Sequence, residues 1–527
     1  MTNTQQPNIV LLVLDTHRYD RLSLYGYDRE TSPNIDAFGH DATVFENAIS
    51  PAQWTIPAHA SLFTGEYPST HQTTQAHYQL HAHFDSLATL LSAHGYQTTG
   101  FCNNPLVGVL KNGLKRGFDK FYNYGGAFPS VPYTSNRLPN PVSRLWEWYT
   151  QLFRKWSYPF QNAIAHSDFL FRLFMNPYLV PLWTRFAHYK GNTVRCLNDV
   201  QAFLHDVQQD EQAEPQFLFI NLMETHLPFT PPDTFIHRFA PYFKENRTAR
   251  DFIRKLNRQA FLWNMPIAEP FTELESQVLS DLYDAEVNYQ DHLLETVLKQ
   301  LSEGPFADNT LTIIVGDHGE GLGEHDFMGH SFVTYEELVH VPLIVRFPNN
   351  KAQGERISTP VSTRRIFHTA LAAAGIQVFE TEHRPATDVK QLSLDRTVYG
   401  QDPEQGLVFS EAYVPESFLS MMKSHFPHLI DHFHCNLNRR AVYLGHHKLA
   451  RIDSIGDEIF DLSSDPEELH DLHETHADIA AKLVGKLDAF MVQALARRPD
   501  NWEAHQTINL EEDESLLQQL RALGYIE

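Results

Sequence analysis

Thr55 and His59 stand four residues apart in Trp54-Thr55-Ile56-Pro57-Ala58-His59-Ala60-Ser61-Leu62-Phe63-Thr64-Gly65, which reads as the opening of a helix, so His59 can face the same side as Thr55. A threonyl hydroxyl is a weak nucleophile at neutral pH and works only beside a bound metal or a base that favours its alkoxide. Other titratable side chains follow short apolar runs. Asp15 ends the run 9–14, Glu224 and His226 follow 217–222, and Asp317 and His318 follow 311–316. Runs of this length suit strands buried on both faces and are too short to span a bilayer. Open parallel sheets bind ligands outside the carboxyl ends of their strands, so these segments, remote in sequence, are expected to share one site.

The elements needed to hold such a site are present. Residues 341–346 make a further strand, and 85–94 and 273–301 carry apolar residues at helical spacing, which gives an α/β class with a mostly parallel central sheet flanked by helices. From 126 to about 270 the sequence turns aromatic and Pro-punctuated, with Trp146, Trp148, Trp156 and Trp183, and is read as a helical insertion over the site. Its mixture of aromatic and basic residues suits an interfacial helix or an apolar substrate pocket, and equally suits packing onto the main domain. After about 390 the runs shorten and alternate, as in 407–413 and 440–444, so a catalytic domain of 1–390 is followed by a smaller α+β subdomain of 391–527 built on an antiparallel sheet.

Bulk properties narrow the partners. The 527 residues exceed the size of a single growing core, and 42% of them are hydrophobic. Lys and Arg total 41 against 65 Asp and Glu, a net charge of −24, which disfavours non-specific attraction to nucleic acid or to anionic lipid outside local basic patches. The first residues lack the charged segment and apolar run of a secretion signal, and Cys102, Cys196 and Cys435 form neither CxxC spacing nor an even set. A reducing cytoplasm is expected.

The segment 54–65 resembles the active-site signature of the sulfatase-like branch of the alkaline phosphatase superfamily, in which Cys or Ser, later oxidised to formylglycine, precedes x-Pro-x-Arg; here Thr55 and His59 take the first and last places. The resemblance extends through Leu14-Asp15-Thr16-His17-Arg18, Gly316-Asp317-His318-Gly319-Glu320 and Tyr335-Glu336-Glu337 to Ile459-Phe460-Asp461-Leu462 and Leu520-Arg521-Ala522-Leu523-Gly524-Tyr525. It implies that Asp15, Asp317, His318 and Thr55 bind a divalent metal. Oxygen and imidazole ligands favour zinc or manganese over magnesium or calcium. His226 takes the place of a histidine that contacts the substrate oxyanion, and His330, twelve residues after His318, resembles the phosphate-facing histidine of phosphoethanolamine and lipoteichoic-acid transferases.

Thr55, His59 and His330, where this sequence departs from the sulfatase pattern, point to phosphorus. An aldehyde hydrate expels sulfate by collapsing to a carbonyl, whereas Thr55 forms an ester that water must cleave. Thr16 stands where many arylsulfatases carry a second acid, and Asn103 and Asn104 stand where the family has a Lys-containing segment, free to bind a neutral or monoanionic group or to form a turn. The implied activity is hydrolysis of a small-molecule phosphodiester or phosphonate monoester through a phosphothreonine, with His226, His330 and His59 assisting. Alternatives are a sulfatase without formylglycine, a phosphoryl transferase and a catalytically silent ligand-binding relative. The oligomeric state is not legible.

Overall fold

The computed structural model of the protein describes residues 6–126, 130–134, 140–186, 189–210, 212–377 and 389–499. The fold is organised by β1 (Asn8–Leu14), whose apolar side chains alternate between two cores. Val10, Leu12 and Leu14 face one core with the helices Thr193–Gln209 and Glu273–Ser302, while Ile9, Leu11 and Val13 face the other with Thr55–Thr64, Leu87–Ala93 and Arg365–Ala373. Burial on both faces is why the run is apolar throughout. The helix Glu273–Ser302 starts in a capping box between Thr272 and Glu275, and Leu87–Ala93 starts at Ser86, whose hydroxyl accepts from Thr89 N.

The main sheet has nine strands. Besides β1 it contains β2 (Thr43–Ile49), β3 (Gln97–Cys102), β4 (Lys120–Asn123), β5 (Gln216–Leu222) and β6 (Thr310–Gly316), then, beyond the short hairpin β7 (Gly321–Leu322) and β8 (Met328–Gly329), β9 (His340–Arg346), β10 (Arg356–Ile357) and β11 (Val361–Ser362). Their order is β10-β2-β9-β6-β1-β5-β3-β4, with β11 also on β2. Register explains the site: Leu14 pairs with both Leu222 and Gly316, so Asp15 and Asp317 emerge side by side at one edge, and Cys102 pairs with Asn221, which brings Asn103 and Asn104 to the same edge.

One strand breaks the parallel order of the sheet. β9 is antiparallel to β6 and β2, because the chain leaves β6 and returns to the sheet at the same edge without a crossover helix. The carboxyl end of β9 therefore points away from the site. β2, parallel to its other neighbours, ends at the site edge and feeds the helix Thr55–Thr64.

The described residues of 126–270 include the helices Asn140–His166, Asp168–Phe174 and Val180–Phe186, but the stretch is not one continuous insertion. β5, which pairs with β1 at the centre of the sheet, and the core helix Thr193–Gln209 lie inside it. The C-terminal part carries the antiparallel sheet β12 (Val408–Ala412), β13 (Arg439–Leu444), β14 (His447–Ile452) and β15 (Gly456–Asp461), covered by Ala477–Ala496. The segment 520–525 lies outside the described residues, as do the side chains of Trp146 and Trp156. Among the described residues no helix is long and apolar enough to cross a membrane.

Candidate active site

At the carboxyl edge of β1 and β6, Asp15, Asp317 and His318 are fully buried and each turns one ligand atom toward the others, all within 4.8 Å. The proton positions follow from the partners. His318 Nδ1 lies 2.9 Å from Gly319 O, an acceptor only, so Nδ1 carries the hydrogen and the Nε2 lone pair faces Asp317 Oδ2 at 3.5 Å and Asp15 Oδ1 at 3.9 Å. Neither of those two buried carboxylate oxygens accepts a hydrogen bond. Three acceptors facing one another without a proton between them fit a bound cation. An imidazole that gives its second N–H to a backbone carbonyl is how histidine is held as a metal ligand.

The remaining carboxylate oxygens are held in place. Asp317 Oδ1 accepts from the amides of Thr16 at 3.2 Å and His318 at 2.9 Å, and Asp15 Oδ2 accepts from Asn104 Nδ2 at 2.6 Å. Thr16, found in place of a second acid, contributes its backbone from a left-handed conformation at φ 56°. Burial pushes Asp15 up to about 6 despite the Asn104 hydrogen bond, raises Asp317 well above the carboxylate range beside Asp15, and drives His318 well down. A cation among these groups reverses that cost.

Thr55 is the first residue of its helix, and Trp54 before it makes no side-chain cap. Its hydroxyl caps nothing; Oγ1 lies 3.4 Å from His318 Nε2 and 3.3 Å from Asn104 Nδ2, at the helix N-terminus where the backbone favours an anion. Asn104 therefore reaches the site with its Nδ2, while its Oδ1 caps the turn Pro105–Gly108 through Leu106 N. Asn103 does not point there. Its amide donates to Thr193 Oγ1 at 2.6 Å because the backbone of Gly191 closes over it, leaving no room for a side chain at Gly191.

His59 lies behind Thr55 and is fully buried against Phe63 and Phe219. Its Nδ1 is 2.9 Å from Thr55 O and 3.4 Å from Asp317 Oδ2, both acceptors, so Nδ1 is protonated and Nε2 accepts from Asn221 Nδ2 at 3.4 Å. Burial lowers His59 to about 4, so it is a neutral positioning group under the helix start.

His226 and His330 do converge. Their rings are 4.9 Å apart, and that of His330 is 4.6 Å from His318. His226 commits Nδ1 to Leu227 O and His330 commits Nδ1 to Glu320 Oε1 at 2.7 Å, which leaves Nε2 of each for a substrate. Burial holds both near 4 and lifts Glu320 to about 7. Tyr189 stacks edge-on to His226 at 5.5 Å and to Trp183 at 5.0 Å, so the aromatic stretch supplies one wall. Sequence reasoning missed Glu320, Asn221 and Tyr189 as site residues. Asn221 was detectable as the polar residue near the end of an apolar strand, and Glu320 closes a motif already singled out; Tyr189 carried no signal.

The sulfatase family profile matches residues 7–376. The chain is similar to the uncharacterized sulfatase YidJ of Escherichia coli (strain K12), 24% identical over 509 residues that cover 92% of this chain and 87% of that one. Among solved structures, the phosphonate monoester hydrolase of Agrobacterium radiobacter has a TM-score of 0.61 at 21% identity, covering 93% of this chain and 96% of its own. That of Silicibacter pomeroyi has a TM-score of 0.63 at 18% identity, covering 94% and 96%. The match over most of the chain, on the fold and site geometry above, makes this protein a member of the sulfatase family of metal-dependent ester hydrolases in the alkaline phosphatase superfamily.

Proposed function

We propose that the protein hydrolyses a phosphodiester or phosphonate monoester, with Thr55 as nucleophile. The observation that carries this is the Thr55 hydroxyl, 3.4 Å from His318 Nε2 and bonded to no helix amide, at the rim of two buried carboxylate oxygens, one each from Asp15 and Asp317, that accept no hydrogen bond. Asp15, Asp317 and His318 would hold the divalent cation, zinc or manganese by donor type, which when bound favours the Thr55 alkoxide and offsets charge on the ester. That two of the similar folds are phosphonate monoester hydrolases supports the same reading.

The residues then divide the work. Formation of the Thr55 alkoxide releases the hydroxyl proton to solvent; the alkoxide oxygen bonds to phosphorus as the bond to the leaving oxygen breaks, and the leaving oxygen takes a proton from Nε2 of the His330 imidazolium, whose Nδ1–H stays on Glu320. An anionic ester and the Glu320 carboxylate together oppose the burial that otherwise keeps His330 neutral. His226 Nε2 faces the non-bridging oxygens. In the second half, neutral His330 takes a proton from water as the water oxygen bonds to phosphorus and displaces Thr55, with overall retention.

A second reading keeps the same site and takes a sulfate ester, and the sulfatase relative favours it. It requires release of a sulfothreonine by attack at sulfur, which the formylglycine route avoids. The test is turnover of bis-p-nitrophenyl phosphate, a p-nitrophenyl phenylphosphonate, p-nitrophenyl phosphate and p-nitrophenyl sulfate by the zinc- and manganese-loaded enzyme and by Thr55→Ala. Phosphodiester or phosphonate turnover that disappears in Thr55→Ala supports the proposal; turnover of sulfate alone overturns it in favour of the second reading.

A further inference from the structure

The first half of the helix Asn140–His166 leaves a row of large apolar side chains in solvent. Val142, Leu145, Trp148, Tyr149 and Leu152 are all exposed, Leu145 by 66% and Trp148 by 61%. At about 100° per residue they fall within a sector of roughly 120°, so they form one stripe rather than scattered positions. The next two helices and their connection also expose large apolar side chains, with Phe169 69% exposed, Tyr178 91% exposed and Leu182. Scattered apolar residues need no explanation, but a continuous exposed stripe carrying Trp and Tyr marks an interaction surface.

Charge selects the partner. Residues 140–186 contain Arg144, Arg154, Lys155, Arg172 and Arg185 against only Glu147 and Asp168, a net +3 inside a chain of net −24. Lys155 is exposed next to the stripe. A basic segment in an acidic protein is repelled by a second copy of itself in a two-fold pairing and attracted to a negative surface. Trp and Tyr on the apolar side, Lys155 beside them and, among the described residues, no helix able to cross a bilayer are the features of an element that lies in a lipid interface.

We infer that the helices of residues 140–186 dock this protein on an anionic lipid surface. The same stretch leads to Trp183, whose ring meets Tyr189 beside His226, so the docking segment and one wall of the site are close in sequence. The docking itself does not depend on the reaction assigned to Thr55.

The experiment is sedimentation of the full chain with vesicles of phosphatidylcholine alone and with a third of phosphatidylglycerol, at low and high salt. The variants are the double substitution Leu145→Glu with Trp148→Glu, and Lys155→Glu alone, with thermal melting as the folding control. The wild type is expected to bind the anionic vesicles at least about tenfold more tightly than the neutral ones, with the double variant losing about as much and Lys155→Glu losing part of it in a salt-dependent way. Absence of binding to either vesicle, or equal binding by a folded double variant, overturns the inference. Self-association of the wild type that the double variant abolishes, without vesicle binding, also overturns it and assigns the stripe to a second copy.

Discussion

Two buried clusters of charge in this protein are built on opposite principles. Around Asp15 and Asp317, two carboxylate oxygens and an imidazole lone pair face one another with no donor among them. Beneath the C-terminal sheet, Glu336 and Glu468 flank Lys448, whose ammonium lies 3.1 Å from one and 2.7 Å from the other and also donates to Thr334 O. Tyr443 and His340 complete the shell of Glu336, and the Glu336 amide donates to Glu468. The second cluster carries its own cation on a side chain; the first requires one from outside. Buried charge that is internally answered holds the fold, and buried charge left open marks where a ligand binds.

Substitutions separate the two, the largest effect coming from the nucleophile. Thr55→Ala should lower kcat by about 10⁴ or more in steady-state assays with little change in melting temperature, since its hydroxyl serves no cap. Lys448→Met should do the reverse, leaving two buried carboxylates unpaired and costing about 3–5 kcal/mol in urea unfolding while metal affinity is unchanged. An equal loss of metal binding there would break the distinction.

The sign of the next change is the sharper test. In chelated protein Asp317→Asn replaces a buried carboxylate whose Oδ2 accepts no hydrogen bond and should raise stability by about 1–3 kcal/mol, whereas in metal-loaded protein it should lower stability and weaken metal binding, read by calorimetry. Asn221→Ala, which loosens Asp15 and His59 without removing a ligand, should cost about 10- to 100-fold in metal affinity or activity. Smallest is a pH effect in the second cluster. Burial pushes Glu336 up, but Lys448, His340 and Tyr443 outweigh it and hold the carboxyl at about 2 against 4.5 when unfolded. A depressed pKa stabilises above 4.5 and loses that stability as pH falls toward 2, so the stability gap between wild type and Glu336→Gln should narrow across that window in denaturant titrations.

Much of the site was legible because chemistry and topology coincide in parallel strands. Asp15, Asp317 and His318 each end an apolar run, and the sheet register then sets them side by side. The direction of β9 was not legible, since strand composition carries no polarity and only the path from β6 back to the same edge decides it. Adjacent Asn103 and Asn104 could not be told apart, because the packing of Gly191, remote in sequence, turns one away. The stretch 126 to about 270 reads as one helical insertion even though its run 217–222 reads as a strand, and aromatic composition alone does not show that β5 and the helix Thr193–Gln209 within it belong to the core. The role of His59 beneath the nucleophile depends on contacts with Asp317 and Asn221 that no local pattern encodes.

The most direct test of the central claim is mass spectrometry of the peptide containing Thr55 after rapid acid quench of the metal-loaded enzyme turning over a p-nitrophenyl phosphonate or bis-p-nitrophenyl phosphate. A phosphorus adduct on Thr55 that forms and decays at rates matching turnover, and is absent in Thr55→Ala, is the expected result. Undiminished turnover in Thr55→Ala, or an adduct on another residue, would contradict the account.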